Sequence, residues 1–145
     1  MSKVAELLTP ENEQEIVEAI RMAEKNTSGE IRVHIEKTTS MDAYERARDV
    51  FHELKMDETE LKNGVLIYLA VDDHQFVICG DQGINDVVQD DFWNCTRDLM
   101  VVQFKTGNFK QGLIDGITRA GEQLQSYFPW QEGDTNELSN EISKG

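Results

Sequence analysis

The sequence predicts an α/β fold with a mixed central sheet: a βαβ unit plus one antiparallel hairpin strand. Three observations predict it. Val65 to Val71 (VLIYLAV) is a continuous apolar run, rich in β-branched and aromatic residues, opened by Asn63-Gly64 and closed by Asp72-Asp73. A run of that length between turn residues reads as a strand buried on both faces. Glu30 to Glu36 (EIRVHIE) alternates strictly between polar and apolar, the period of a half-exposed strand. Between them, Ala43, Ala47, Val50, Phe51 and Leu54 recur at helical spacing. Strand, helix and strand form a right-handed crossover, so the two strands run parallel. Phe76 to Gly80 follows the short polar link Asp72-Asp73-His74-Gln75, which makes it a buried antiparallel hairpin partner.

In chain order, Thr9-Pro10-Glu11 marks a helix start, with Thr9 as N-cap, Pro10 in the first turn and acids beside it. Ile16, Val17, Ile20 and Ala23 give its apolar face, and it is expected to end near Lys25-Asn26. On the first strand Ile31, Val33 and Ile35 point inward; Glu30, Arg32, His34 and Glu36 point out, so His34 is expected to be solvated. Asp42-Ala43-Tyr44-Glu45 is a capping box for the crossover helix. Lys55 to Lys62 is a charged connection. After Gly80-Asp81-Gln82-Gly83 a loop is expected. Asp90 or Asp91 then starts a well-buried helix carrying Phe92, Trp93, Leu99, Met100, Val101, Val102 and Phe104. Asn108 caps a last helix with Phe109, Leu113, Ile117, Ala120, Leu124 and Tyr127 inward. Gly112 and Gly116 share a face there, which predicts close packing against the sheet. Phe128-Pro129-Trp130 stops it, giving one domain over 1–130 and an acidic tail over 131–145, mobile unless Leu138 and Ile142 dock.

The chain has 145 residues and a formal net charge of −14, from 28 acidic and 14 basic residues. That charge repels nucleic acid and anionic membranes and suits cations. No stretch approaches the roughly 18 apolar residues of a membrane span. MSKVAELLTPENEQE turns acidic at once, so neither a signal peptide nor an anchor is expected and a cytoplasmic location follows. Cys79 and Cys95 read as reduced, buried thiols, and two cysteines with three histidines give no zinc spacing.

The topology sorts the carboxylates into two groups. One end of the sheet gathers Gly29-Glu30, Asn63-Gly64 and Gly80-Asp81, with Asp86, Asp90 and Asp91 following from it. The other end gathers Glu36, Asp42, Asp72 and Asp73. Hard cations such as calcium or magnesium take oxygen ligands, calcium about six to eight. The glycine-flanked end offers both carboxylates and carbonyls, so Glu30, Asp81, Asp90 and Asp91 are the expected metal ligands. Asp72-Asp73 is the alternative pair, with an ordinary role in a hairpin turn. Catalytic motifs are missing. No EF-hand, P-loop, dinucleotide fingerprint or nucleophile elbow is present, and Cys79 lacks a phosphatase arginine at short spacing after it.

Ser28-Gly29-Glu30-Ile31-Arg32-Val33, Ala43-Tyr44 to Phe51, Asn63-Gly64-Val65-Leu66-Ile67, and Asp72-Asp73 through Phe76-Val77-Ile78, Gly80 and Gly83-Ile84 occur in this order. The succession resembles the TPM domain family from about Leu8 to Tyr127, with Asp90 or Asp91 in place of the family's later aspartate. That family includes a thylakoid lumen acid phosphatase, a photosystem repair factor and a receptor-accessory protein. The resemblance implies a Rossmann-like αβα sandwich with helices on both faces. It also implies calcium at acidic loops and a weak metal-assisted hydrolysis of a phosphomonoester; the alternative is a non-catalytic module in which calcium orders loops and a patch around Trp130 and the tail contacts another protein. Gly80-Asp81-Gln82-Gly83 carries one more residue between its glycines than the family's usual GyG. Many members are exported or anchored, which this chain is not expected to be.

Overall fold

The computed structural model describes residues 3–131 and 137–145. Six helices and four strands follow in the order α1 (Lys3–Leu7), α2 (Pro10–Ala23), β1 (Glu30–Glu36), α3 (Ala43–Glu53), β2 (Gly64–Ala70), β3 (Gln75–Gly80), α4 (Gln82–Asn85), α5 (Asn94–Phe104), α6 (Phe109–Tyr127) and β4 (Ser143–Lys144). The sheet order is β3-β2-β1-β4. β1 and β2 are parallel, from Glu30↔Gly64 to Glu36↔Ala70, and β3 runs antiparallel to β2, from Val65↔Gly80 to Ala70↔Gln75. The predicted βαβ-plus-hairpin is therefore present, and β4, which pairs parallel to β1 at His34↔Ser143 and Ile35↔Lys144, adds a fourth strand that was not expected.

Helices cover both faces. Ile31, Val33, Ile35, Val65, Ile67 and Leu69 meet Ile16 and Ile20 of α2, Met100 of α5, and Leu113, Ile117 and Leu124 of α6 in one core. Leu66, Tyr68, Ala70 and Cys79 meet Ala43, Ala47, Val50 and Phe51 of α3, with Met56, in the other. No described helix is long and apolar enough to cross a membrane.

The expected caps form. The Thr9 hydroxyl accepts the Asn12 N–H at 3.2 Å, the Asp42 carboxylate accepts those of Tyr44 and Glu45, and Asn108 accepts that of Gln111. Satisfying these otherwise orphaned donors is what starts each helix where it does. α2 ends at Ala23, and a 3-10 turn over Glu24–Asn26 leads to β1.

Several expectations are corrected. β1 is buried on both faces, with Glu30, His34 and Glu36 only 3–4% exposed, because the C-terminal segment lies over the face expected to be wet, Leu138 at Glu30 and β4 at His34, while Arg46 of α3 reaches Glu36. The end of the chain thus docks: Ile142 enters the larger core and Leu138 packs on the smaller, whereas residues 132–136 lie outside the described set. β3 is an edge strand and only partly buried, unlike β2. The helix expected at Asp90 or Asp91 begins at Asn94. Turn bonds from Phe92 N–H to the Gln89 carbonyl and from Asn94 N–H to the Asp91 carbonyl occupy the intervening residues, whose aromatic rings pack inward. α5 buries only Thr96 and Met100, and Val102 is 64% exposed, so its apolar arc is largely surface. Gly112 and Gly116 approach Phe104 and Met100 of α5, not the sheet; a Cβ on Gly116 would lie 2.5 Å from the Met100 sulfur. Cys79 is buried as expected, but Cys95 is exposed.

Candidate functional site at the glycine-flanked end of the sheet

The parallel register places Glu30 beside Gly64, and the Asp81 N–H donates to the Gly64 carbonyl at 2.9 Å. Glu30 and Asp81 therefore share one end of the sheet, as the topology predicted. β2 stands between them, however, and two strand spacings put their backbones about 10 Å apart. Asp90 and Asp91 are exposed in the turn ahead of α5. Among the described residues no three His, Cys, Asp or Glu side chains come close enough to hold a metal ion. The four expected ligands share a region without forming a ready cage.

Glu30 has other carboxylates for company. It opens on a cleft of about 390 Å³, lined also by Glu24, Ser28, Trp130 and Asn140. The Glu24 carboxylate accepts the Ile31 N–H at 2.8 Å, and Glu30 accepts the Leu138 N–H at 2.6 Å. Burial pushes the Glu24 carboxyl up to about 8 against the pull of the Ile31 N–H, and the charge of Glu30 adds to the rise. Burial also raises Glu30, opposed by the Leu138 N–H and reinforced by the charge of Glu137. Arg21, at the cleft rim, is ion-paired with Glu18 and so engaged elsewhere. Glu24 escaped the sequence reading because it sits on a helix end rather than on a strand. Its only signal was position: it lies six residues before Glu30, across a turn.

Asp81 has a structural task as N-cap of α4, its Oδ1 accepting the Gln82 N–H at 2.7 Å. Its Oδ2 is buried with no hydrogen-bond partner among the described residues. Such an orphaned acceptor carries the cost of desolvation without compensation. It belongs to a second cleft of about 270 Å³, with Arg48, Tyr44, His52, Cys79 and Asn85. Burial pushes the Cys79 thiol up, so it stays protonated and is no nucleophile.

The opposite end is chemically closed. The Asp73 carboxylate accepts the Thr38 hydroxyl at 2.6 Å and the Thr39 N–H at 2.9 Å, bonds that hold its pKa down and fasten the hairpin turn to the β1–α3 loop. Asp72 is exposed beside it. Glu36 accepts two bonds from Arg46, one from the Tyr68 hydroxyl and one shared with His34 Nε2 at 3.0 Å. Burial acts to raise Glu36, but these donors outweigh it and hold the carboxyl at about 2. His34, expected to be solvated, stacks on the Tyr68 ring at 5.8 Å, and its Nδ1 meets the Ser143 hydroxyl at 2.8 Å. This network went unseen in the sequence because Arg46 and Ser143 reach it from distant segments.

Comparison with known proteins agrees with this architecture. The chain is similar to the BA42 protein of the psychrophilic bacterium Bizionia argentinensis, at 66% identity over 95% of both chains with a TM-score of 0.91. The N-terminal domain of a P. gingivalis protein matches at 18% identity and TM-score 0.70, covering 84% of this chain and 79% of that one. The N-terminal domain of the cg2496 protein of Corynebacterium glutamicum matches at 12% identity and TM-score 0.66, covering 91% and 81%. These two show likeness of fold alone. No curated protein matches. The family model described as the TPM domain matches residues 1–123, most of the sheet and its covering helices, and the chain belongs to the TPM domain family.

Proposed function

We propose that this chain is a divalent-cation-binding module, calcium being the best-suited ion, with Glu30 as the central ligand. The observation that carries this is a buried Glu30 carboxylate facing a cleft shared with Glu24. Close carboxylates in a low-dielectric cleft repel one another, and a hard cation relieves that repulsion while taking up their oxygens. Neither Asp90 nor Asp91 is assigned a role, since both are exposed. At pH 7 Glu24, raised to about 8, is largely protonated, so ion binding is accompanied by proton release.

Calcium titration followed by amide NMR shifts tests this. The expected shifts fall on Ser28 to Ile31 and on Leu138, disappear in Glu30→Gln, and come with proton release that fades toward pH 9. Shifts confined to Thr38-Thr39 and Asp72-Asp73 would move the site to the hairpin end; none at millimolar calcium would end the cation reading.

A second reading rests on the Asp81 cleft, where an unpartnered carboxylate oxygen and the Arg48 side chain line the same space. Here the chain is a weak phosphomonoesterase. A divalent ion, when bound, supplies Lewis acidity. Asp81 holds the ion, and Arg48 binds and orients the phosphoryl oxygens. Hydrolysis of p-nitrophenyl phosphate should then be lost in both Asp81→Asn and Arg48→Ala. Calcium binding without any such hydrolysis leaves the non-catalytic module, in which the ion orders the site for a protein partner.

A further inference from the structure

We infer that the cleft between the β2–β3 hairpin and the start of α6 is a binding site for a small organic anion with an apolar body and a carboxylate or phosphate head. It rests on neither reading above. β3 separates it from the Asp81 end by its whole length, about 20 Å at six residues.

The site is a local reversal of charge. In a chain of net charge −14, three of its eight lysines, Lys3, Lys105 and Lys110, line one cavity of about 720 Å³ together with His74. The acids close by are few. Glu6 lines the cavity, and Glu15 is bound to Lys110 at 2.8 Å. Lys3 and Lys105 are exposed, and Lys3 Nζ lies 3.3 Å from His74 Nε2. The Lys3 ammonium donates to the His74 ring nitrogen, which fixes a positive group at the wall of the cavity, where it stabilises an anion. His74 is kept there by a left-handed backbone, φ 52°, a conformation uncommon outside glycine. The first turn of α6, a 19-residue helix, also lines the cavity, and its dipole favours negative charge at that point.

The apolar half of the ligand follows from the cavity's inner side. A second space of about 230 Å³ adjoins it, sharing His74, Phe104, Lys105 and Phe109 and adding Phe76. The rings of Phe104 and Phe109 lie 5.6 Å apart, and His74 tilts over Phe109 at 6.2 Å. A head group at the lysines places an attached ring or short chain among these aromatics, where it is taken out of water. Few convergent charged groups at the mouth of an aromatic recess are the ordinary make-up of a small-molecule site.

The test uses the intact chain and two probes, benzoate and phenyl phosphate, titrated under amide NMR with inorganic phosphate as the headless control. Saturable shifts on His74 and Thr106 to Lys110 are expected with at least one probe, and which head binds tighter identifies the natural head group. The double variant Lys3→Glu/Lys105→Glu, both at exposed positions, should weaken binding about a hundredfold, tenfold for each charged contact. Absence of shifts with both probes, unchanged affinity in the lysine double variant, or equal affinity for inorganic phosphate would each overturn the inference.

Discussion

Glu24→Gln should stabilise the protein at pH 8 and do nothing for it near pH 4.5. The Glu24 carboxyl rises from its ordinary 4.5 to about 8 in the folded chain, first by burial and then by the charge of Glu30. A carboxyl raised on folding binds its proton more tightly in the native state than in the unfolded one. Its contribution is fully present below about 4.5 and is lost as pH climbs to about 8, where the native group finally ionises. At 1.36 kcal/mol per pH unit, the interval from 4.5 to 8 sets an upper bound of about 5 kcal/mol. Glu24 is only partly buried, so screening by water offsets much of this, and about 2 kcal/mol is expected. Glutamine preserves the acceptor for the Ile31 N–H and removes the ionisable group. For a chain of 145 residues, 2 kcal/mol corresponds to a rise of about 6 °C in Tm. Thermal unfolding of both proteins in EDTA, at pH 4.5 and pH 8, measures it. An equal Tm difference at the two values, or a loss at pH 8, would refute the linkage.

Two further substitutions probe the fold. Tyr68→Phe removes one donor from Glu36 and should cost about 1–3 kcal/mol at pH 7; since Glu36 stays ionised down to about 2, that cost should shrink as pH falls from 4.5 toward 2, and a pH-independent cost in denaturant titrations would contradict it. Gly83→Ala places a Cβ 2.5 Å from the Lys62 carbonyl oxygen and closer still to that of Leu61, both backbone atoms that cannot turn aside, so a loss near 3 kcal/mol and about 9 °C in Tm is expected; a drop under 3 °C would show that the loop yields.

The sheet was legible because its signals are local. The Val65–Val71 run, the alternation of Glu30–Glu36 and the side-chain caps at Thr9, Asp42 and Asn108 each depend on neighbours in sequence, and each stands in the structure. What failed depended on distant segments. Alternation in β1 reports two chemical faces, but cannot say that a segment from the chain's end, with a two-residue strand in it, will cover the polar one. Ser143-Lys144 carries no strand signal of its own; it pairs because Ile142 is anchored in the core. The apolar arc of α5 misled for a related reason. Its packing against α6 runs through Thr96, Met100 and Phe104 onto Gln123, Gly116 and Gly112, so small residues opposite, not the number of apolar residues on the helix, decide which side is buried.

The two ends of the sheet show why topology located the acids without resolving the site. Strand order decides which residues reach an end, and in that sense Glu30 and Asp81 were correctly grouped. Whether carboxylates there act as a charged site depends on what neutralises them, and that is set by side chains from elsewhere. Glu36 receives Arg46, Tyr68 and His34 and is held at about 2, a carboxylate whose demand for positive charge is met. Burial pushes Glu24 and Glu30 toward the neutral acid against one or more backbone N–H bonds each, and the charge of Glu30 adds to the rise of Glu24, that of Glu137 to the rise of Glu30. A buried and a partly buried carboxyl, both raised, have no cationic side chain to compensate them among the described residues, whereas the buried Glu36 network is already at balance. It is this difference in compensation, not the density of acidic residues in the sequence, that leads us to place the proposed ion at the Glu30 end and not at Asp72-Asp73.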